Sequence, residues 1–491
     1  MKCRLGTLAL VIALVAPSCS KKFLDQVPYN SVSTSIAIKD ESSMYTALLG
    51  TYSSLRATDF YGRTFAVKGD LMSDDCFLSS NNSGRYLGFN QYDMDKTNSY
   101  PSAIWQNAYA TIKNANFIIN SGIAPSTDNF SQMFAEAYAL RGMVLFDLVR
   151  NFAMPYATGT TGPGVPIVLK FDSLAKPARK SIGDCYTQVL ADLNKALSMI
   201  KFDQGTTMTI ASTGQSRVMN SSYVTKYAVE GLLARVYQHM GDWANAKTVA
   251  LDIVQNGKFN LVSSTGLRGY WAGTTPRTDK TETMFEVTSD ANNSTSDGTL
   301  ANLYVPKTNG GSYGDILATK ALYNSYSDTD ARKSLFNPST RSGQLGTAYY
   351  VTKYPIDVTN FDDVKIVRYA EILLILAEAY HNTSDDVNAL KYLNLVAQKR
   401  DPSFTTGYVS SGAQLLEDIL NEREKELAFE GYRFWDLYRL QRTFVKPQAQ
   451  DAANAIIKSI TVTPGTTRNF IFPIPNDEVL VNPGIGQNPL Y

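Results

Sequence analysis

The feature that most constrains this chain is a pair of helical periodicities separated by only two residues. From Val224 to Met240 the chain is apolar nearly all round, and from Trp243 to Gln255 the residues Trp243, Ala246, Ala250 and Ile253 recur at steps of three and four. Only Gly241-Asp242 lies between them. Helices joined so tightly must run antiparallel and in contact, and one that is apolar all round must be covered on two sides. The arrangement recurs at Arg368 to His381 followed by Asp385 to Arg400, with Val387, Leu390, Leu393 and Ala397 as the expected inner stripe. A weaker third copy begins at Met133, where Ala137, Leu140, Val144 and Leu148 keep helical spacing. Such hairpins bury their apolar faces only by stacking, so the expected fold is mainly α and forms one helical body.

Small Ala228 and Ala234 with Tyr237, then Gly-Asp-Trp, Ala246 and Ala250, resemble the tetratricopeptide pattern, a stacking hairpin of roughly 34 residues. About two-thirds of the chain reads as helices joined by brief turns. The expected divisions are a helical body over 41–256, a variable loop-rich lobe with short strands over 257–361, further helical repeats over 362–442, and an extended segment over 443–491. The lobe is rich in Gly, Ser, Thr, Asn and Asp, and a stretch of that length without a clear helix is a natural place for a binding surface; 201–222 shows the same loss of periodicity on a smaller scale. Pro464, Pro473, Pro475, Pro483 and Pro489 predict the extended ending.

Residues 1–18 have the three-part plan of an export signal: Lys2 and Arg4, the apolar run Leu5 to Ala16, then Pro17 and Ser18. That run is too short to span a bilayer, and the longest later one is only Ile372 to Ala377. Cys19 stands directly after the small residues, where a thiol can accept lipid and hold the mature chain on a leaflet through a tether over 19–40. Cys76 and Cys185 are then the remaining thiols, which is no disulfide framework, although a single bridge between them stays open. Loss of Lys2 and Arg4 from 46 basic residues, against 45 acidic ones, leaves the side chains near balance and argues against nucleic-acid binding.

Several motifs along nearly the whole length resemble the SusD/RagB family of nutrient-binding outer-membrane lipoproteins. They are Cys19-Ser-Lys-Lys-Phe-Leu-Asp25, Ala135-Glu-Ala-Tyr-Ala-Leu-Arg141 with Phe146-Asp-Leu-Val-Arg150, and Gly164-Val-Pro-Ile167. Arg368-Tyr-Ala-Glu371 with Ala377-Glu-Ala379, Glu422-Arg423 through Arg433-Phe-Trp-Asp-Leu437, Phe472-Pro-Ile-Pro475 and Gln487-Asn-Pro489 complete the set. The resemblance implies stacked tetratricopeptide-like hairpins with a variable ligand-bearing lobe. It also implies a lipid anchor at Cys19 on the outer membrane, facing the cell exterior, and a TonB-dependent outer-membrane barrel as partner. The implied ligand is an oligosaccharide or glycan, or a peptide as in some members, with no cofactor and no catalysis.

The residues themselves leave other classes to weigh. With His239 and His381 as the only histidines, paired-histidine zinc motifs are excluded. A glycan-cleaving enzyme would need two carboxylates about 5 to 10 Å apart. Glu422, Glu424, Glu426 and Glu430 alternate with Arg423, Lys425 and Arg433, however, a pattern that predicts ion pairs on a solvated face. Asp290, Asn292, Ser294 and Asp297 offer oxygen ligands but not the register of a calcium hand, and read as a polar loop. A tetratricopeptide scaffold that binds only protein is a further alternative.

Sugar binding needs an aromatic face flanked by amide, carboxylate or guanidinium groups. Trp105, Trp243 and Trp435 fall in helical patterns and read as core, whereas Trp271, beside Tyr270 and among Gly269, Gly273 and Thr274, is the candidate platform. A second candidate cluster is Arg85, Tyr86, Asn90, Tyr92 and Tyr100, with the adjacent acids Asp74 and Asp75. In the family the resemblance points to, the ligand site is shared between a loop near this cluster and the variable middle segment.

Overall fold

The computed structural model describes residues 38–289, 298–306, 310–354 and 362–491. The export signal, Cys19, most of the tether and the oxygen-rich loop at 290–297 lie outside the described residues. The architecture is mainly α, with helix over 47% of the described residues and few short strands among them.

The first helix, α1 (Glu41–Leu55), opens on a reciprocal cap in which the Asp40 carboxylate accepts from the Ser43 N–H at 2.8 Å. A short buried helix, α2 (Thr64–Leu71), follows, then the long α3 (Ser99–Ile119), α4 (Asp128–Phe152) and α5 (Ile182–Met199). The repeats foreseen from periodicity are α6 (Lys226–Met240) with α7 (Trp243–Asn256), and α8 (Tyr369–Asn382) with α9 (Asp386–Arg400). Two more helices, α10 (Gly412–Leu427) and α11 (Arg433–Arg439), carry the Glu-rich and Phe-Trp-Asp-Leu motifs. Each of α3 to α8 packs on the next, and α9 and α10 close against α8, so the stack is continuous although about a hundred residues separate α7 from α8.

The two hairpin turns are built alike. Gly241 at φ 72° and Ser384 at φ 61° end their helices in the left-handed region. The next residue, Asp242 or Asp385, donates its N–H to a tyrosine carbonyl (Tyr237 or Tyr380, both 2.9 Å). Its carboxylate then caps the following helix at Asn245 (3.2 Å) or Asn388 (3.1 Å). The inner stripe of α9 differs from expectation: Val387 is 80% exposed, while Ala389, Leu393, Val396 and Ala397 are buried. The cause is that α8 and α10 pack on the face of α9 that carries Ala389, Leu393 and Val396, and Val387 in its first turn lies off that face.

The strands are β1 (Cys76–Leu78), the hairpin β2–β3 (Thr207–Ile210, Gln215–Val218), β4 (Thr283–Val287), β5 (Ile316–Ala318), β6 (Phe336–Ser339), β7 (Ala348–Val351), β8 (Val364–Arg368) and the hairpin β9–β10 (Phe444–Gln450, Ile456–Val462). An antiparallel sheet in the order β1-β5-β7-β6 joins the lobe to the body, with Phe77 opposite Leu317. The middle segment is not free of helix, since Leu267–Trp271, Leu300–Tyr304 and Lys320–Ser325 are short helices. Nor is the ending extended throughout. It forms β9–β10 and a helix at Asn476–Val481, and the intervening chain is pinned by the Asn488 amide to the carbonyls of Phe152 (2.7 Å) and Phe472 (2.6 Å). Cys76 and Cys185 are buried free thiols, which removes the bridge between them.

The Glu-rich helix does form ion pairs, but inside the protein and not on a solvated face. Glu422, Glu426 and Glu430 are all buried, where Arg332 meets Glu422 (2.7 Å), Arg400 meets Glu426 (2.8 Å) and Arg368 meets Glu430 (2.6 Å). Arg368 also reaches Glu282 at 2.6 Å, so β8, α9, α10 and the chain before β4 are tied by one network. Burial works to raise the Glu426 carboxyl, but Arg400 and Arg368 outweigh it and hold it well below the usual carboxylate range.

Candidate functional site

The sequence-predicted residues divide sharply by burial. Trp271 is 5% exposed, with the Lys353 ammonium 4.4 Å from its ring centre and the Arg368 guanidinium 5.3 Å away. It covers the buried charge network instead of presenting a face to solvent, because the helix at Leu267–Trp271 turns its apolar side inward. Tyr270 is also buried, its hydroxyl 2.7 Å from that of Thr283. Asp74 is bound bidentately by Arg433 (2.8 and 2.9 Å), and Asp75 is 2% exposed. Burial, then the nearby Glu424 and Asp74 carboxylates, push the Asp75 carboxyl well above its ordinary value.

In the second cluster, Tyr86, Asn90 and Tyr92 are buried. The Tyr86 hydroxyl accepts from Arg63 Nε (2.9 Å), and its ring stacks on half-buried Tyr100 with centres 4.5 Å apart. Burial pushes the Tyr86 phenol up to about 12. Asn90 accepts from the Leu78 N–H (3.1 Å) and the Lys446 ammonium (3.2 Å), and the Tyr92 hydroxyl donates to the Met72 carbonyl. These side chains form the rigid base of the loop between β1 and α3. Arg85 is partly exposed, and its guanidinium lies 4.0 Å from the centre of the Tyr313 ring, in the middle segment.

The Tyr313 ring of that contact also lines an open cleft of about 470 Å³, next to which Arg85 lies. The 79–85 loop contributes Asn81, Asn82 and Ser83, and the middle segment contributes Tyr313, Asp315, Thr340, Arg341 and Tyr350. The floor is fixed by Arg341, which donates to the carbonyls of Asn81 (3.1 Å), Tyr313 (2.9 Å) and Gly314 (2.7 Å) and pairs with Asp315 at 2.9 Å. Asp315 in turn accepts from the Ser83 N–H (2.9 Å), and the Ser80 N–H donates to Gln344 (2.9 Å). Three segments far apart in sequence are thus held as one surface of amides, hydroxyls and a half-buried tyrosine ring. Asp315 is the single carboxylate among the described residues lining the cleft, and both its oxygens are engaged. Asn81, Asn82, Ser83, Tyr313 and Arg341 were not foreseen from sequence; the signals near them were only the Asn-Asn-Ser-Gly and Gly-Gly-Ser-Tyr-Gly punctuation.

A separate groove of about 460 Å³ runs between α3 and the 166–177 loop, walled by Tyr109, Lys113, Ile167, Val168 and Phe171. Its Trp105 is 4% exposed, with the indole N–H given to Glu478 at 3.2 Å, so that ring is no platform either.

Two family models match the sequence: one described as the SusD family over residues 347–491, the other as starch-binding associating with outer membrane over residues 22–238. The chain belongs to the SusD/RagB family. A SusD-like protein of Formosa agariphila is 24% identical over 98% of both chains. Among solved structures, a putative sugar binding protein from Bacteroides vulgatus is 26% identical, covers 93% of this chain and 99% of its own, and superposes with a TM-score of 0.79. A SusD superfamily protein from Bacteroides thetaiotaomicron is also 26% identical, with 92% and 100% coverage and a TM-score of 0.78. In this SusD/RagB chain the motif residues are structural: Asp436 of Phe-Trp-Asp-Leu is clamped by Arg423 (3.0 Å) and Arg439 (2.8 Å), and Glu371 of Arg-Tyr-Ala-Glu by Arg235 (2.7 Å).

Proposed function

We propose that this protein is a lipid-anchored outer-membrane lipoprotein, facing the cell exterior, that captures an oligosaccharide in the cleft between the 79–85 loop and the middle segment and delivers it to a TonB-dependent barrel. The observation that carries this reading is the cleft itself. It offers a pyranose the half-buried Tyr313 ring, one face of which carries Arg85, and the hydroxyls of Thr340 and Ser342. It also offers the second N–H of the Asn81 and Asn82 amides, whose first is given to the Ser342 and Ser79 carbonyls. Family membership supports the anchor at Cys19 and the barrel partner. The engaged state of Asp315 supports binding without hydrolysis, since a glycosidase needs two carboxylates free to act.

The reading is tested by titrating the protein with a panel of oligosaccharides and peptides and repeating the screen on Tyr313→Ala. The expected result is that at least one oligosaccharide binds and is recovered intact, and that the variant binds it about tenfold or more weakly at an unchanged melting temperature. Binding of peptides alone, or full affinity in Tyr313→Ala, overturns the assignment.

A further inference from the structure

We infer that the oligosaccharide taken by this cleft carries an anionic substituent, a carboxylate or a sulfate, which Arg85 receives; this rests on the glycan-binding reading above. The inference comes from the charges around the cleft. Arg341 and Asp315 neutralise one another at 2.9 Å, and Arg341 has its remaining donors on three backbone carbonyls, so this pair has nothing to offer a ligand. Arg85 is in the opposite condition. Among the described residues, no carboxylate or carbonyl accepts from its guanidinium, whose recorded contact is the Tyr313 ring at 4.0 Å. A guanidinium stacked on a ring keeps its N–H donors at the edge, in the planar fork that matches a carboxylate or sulfate. Many arginines elsewhere in this fold are paired with carboxylates, as Arg433 is with Asp74 and Glu424 and Arg439 with Glu378 and Asp436.

Arg85 is also held in place by its neighbours. Gly84 (φ 81°) and Tyr86 (φ 59°) flank it in the left-handed region, which a tyrosine adopts only at a cost. The Asn82 side chain accepts from the Gly84 N–H at 2.8 Å, and the buried Tyr86 ring is locked against Tyr100. The backbone on either side of Arg85 is therefore fixed before any ligand arrives, and little ordering remains to oppose binding.

The test uses the full-length lipoprotein in detergent micelles with matched oligosaccharides: oligogalacturonides against their carboxyl-reduced forms, and sulfated galactan fragments against desulfated ones. The charged member of at least one pair should bind about tenfold more tightly at low salt, with the advantage shrinking as salt rises. The pair that shows the advantage tells carboxylate from sulfate. Arg85→Gln should remove the advantage by weakening the charged member far more than the neutral one, and Arg85→Lys should restore part of it. Equal binding of charged and neutral members, or a charge preference that survives Arg85→Gln, overturns the inference and leaves the glycan cleft standing. Failure of every oligosaccharide, charged or neutral, to bind overturns the underlying reading.

Discussion

Single residues in this protein show how burial decides the role of a charge. Asp436 and Glu426 are buried among arginines that more than offset the loss of water, and both stay ionised. Glu230 on α6 is buried with less compensation: desolvation, with a hydrogen bond to Asp252, outweighs Lys226 at 3.3 Å and raises its carboxyl to about 8, and its Oε2 finds no partner. Its folded value lies above the unfolded one, so between about pH 4.5 and 8 the unfolded chain gives up a proton that the folded protein keeps. The contribution of Glu230 to stability must therefore fall as pH rises through that window. Glu230→Gln should raise the denaturation midpoint at pH 8 by the equivalent of roughly 3 kcal/mol relative to its effect at pH 5, as followed by urea unfolding at both pH values. An equal effect at the two pH values would show that the carboxyl is ionised in the fold.

Among the elements, one close backbone approach couples α2 to the turn before the signature helix. A Cβ built on Gly69 in α2 would meet the Gly431 carbonyl oxygen at 2.0 Å, and one on Gly431 would meet the Ala66 Cα at 2.7 Å. Gly431 is at φ 83°, and its N–H is received by the buried Asp70 carboxylate at 2.9 Å. Two backbones thus touch where side chains would hold them apart, which seats Phe434 and Trp435 of α11 beside the Lys68 ammonium, 3.7 and 3.6 Å from their ring centres. Gly431→Ala combines a left-handed backbone with a collision that neither chain can relieve, and should cost on the order of 3 kcal/mol, read by chemical denaturation. A loss below about 1 kcal/mol would mean that α2 can move away from the turn freely.

For the whole molecule, the stack of hairpins acts as a frame from which the middle segment is hung by β1–β5 pairing and by the network around Arg368. No described helix is long and apolar enough to cross a membrane, and the proposed attachment is the lipid at Cys19. Cys19→Ala should move the protein from the membrane pellet to the soluble fraction of fractionated cells, with the body still folded. Retention in the pellet after a high-salt wash would count against the lipid anchor.

The repeated hairpins were legible in the residues because helix periodicity and a two-residue turn are local properties: spacing at Ala246, Ala250 and Ile253, and a left-handed residue followed by an aspartate cap, need no knowledge of the rest of the chain. The family motifs were legible too, although their role as a buried ion-pair network was not. Alternating charge in sequence looks the same whether the helix faces water or arginines from three other segments. The site itself required the tertiary structure. Trp271 and Tyr86 stand in glycine-rich or polar surroundings that read as loop, yet both are buried, while partly exposed Arg85 meets the ring of Tyr313, more than two hundred positions away, which lines the cleft. Sequence alone determined the hairpins, since their information lies within a turn or two of helix. Which polar side chains are spent on the frame and which stay open to a ligand was decided only by long-range contacts, because a donor is free or satisfied according to what the fold brings beside it.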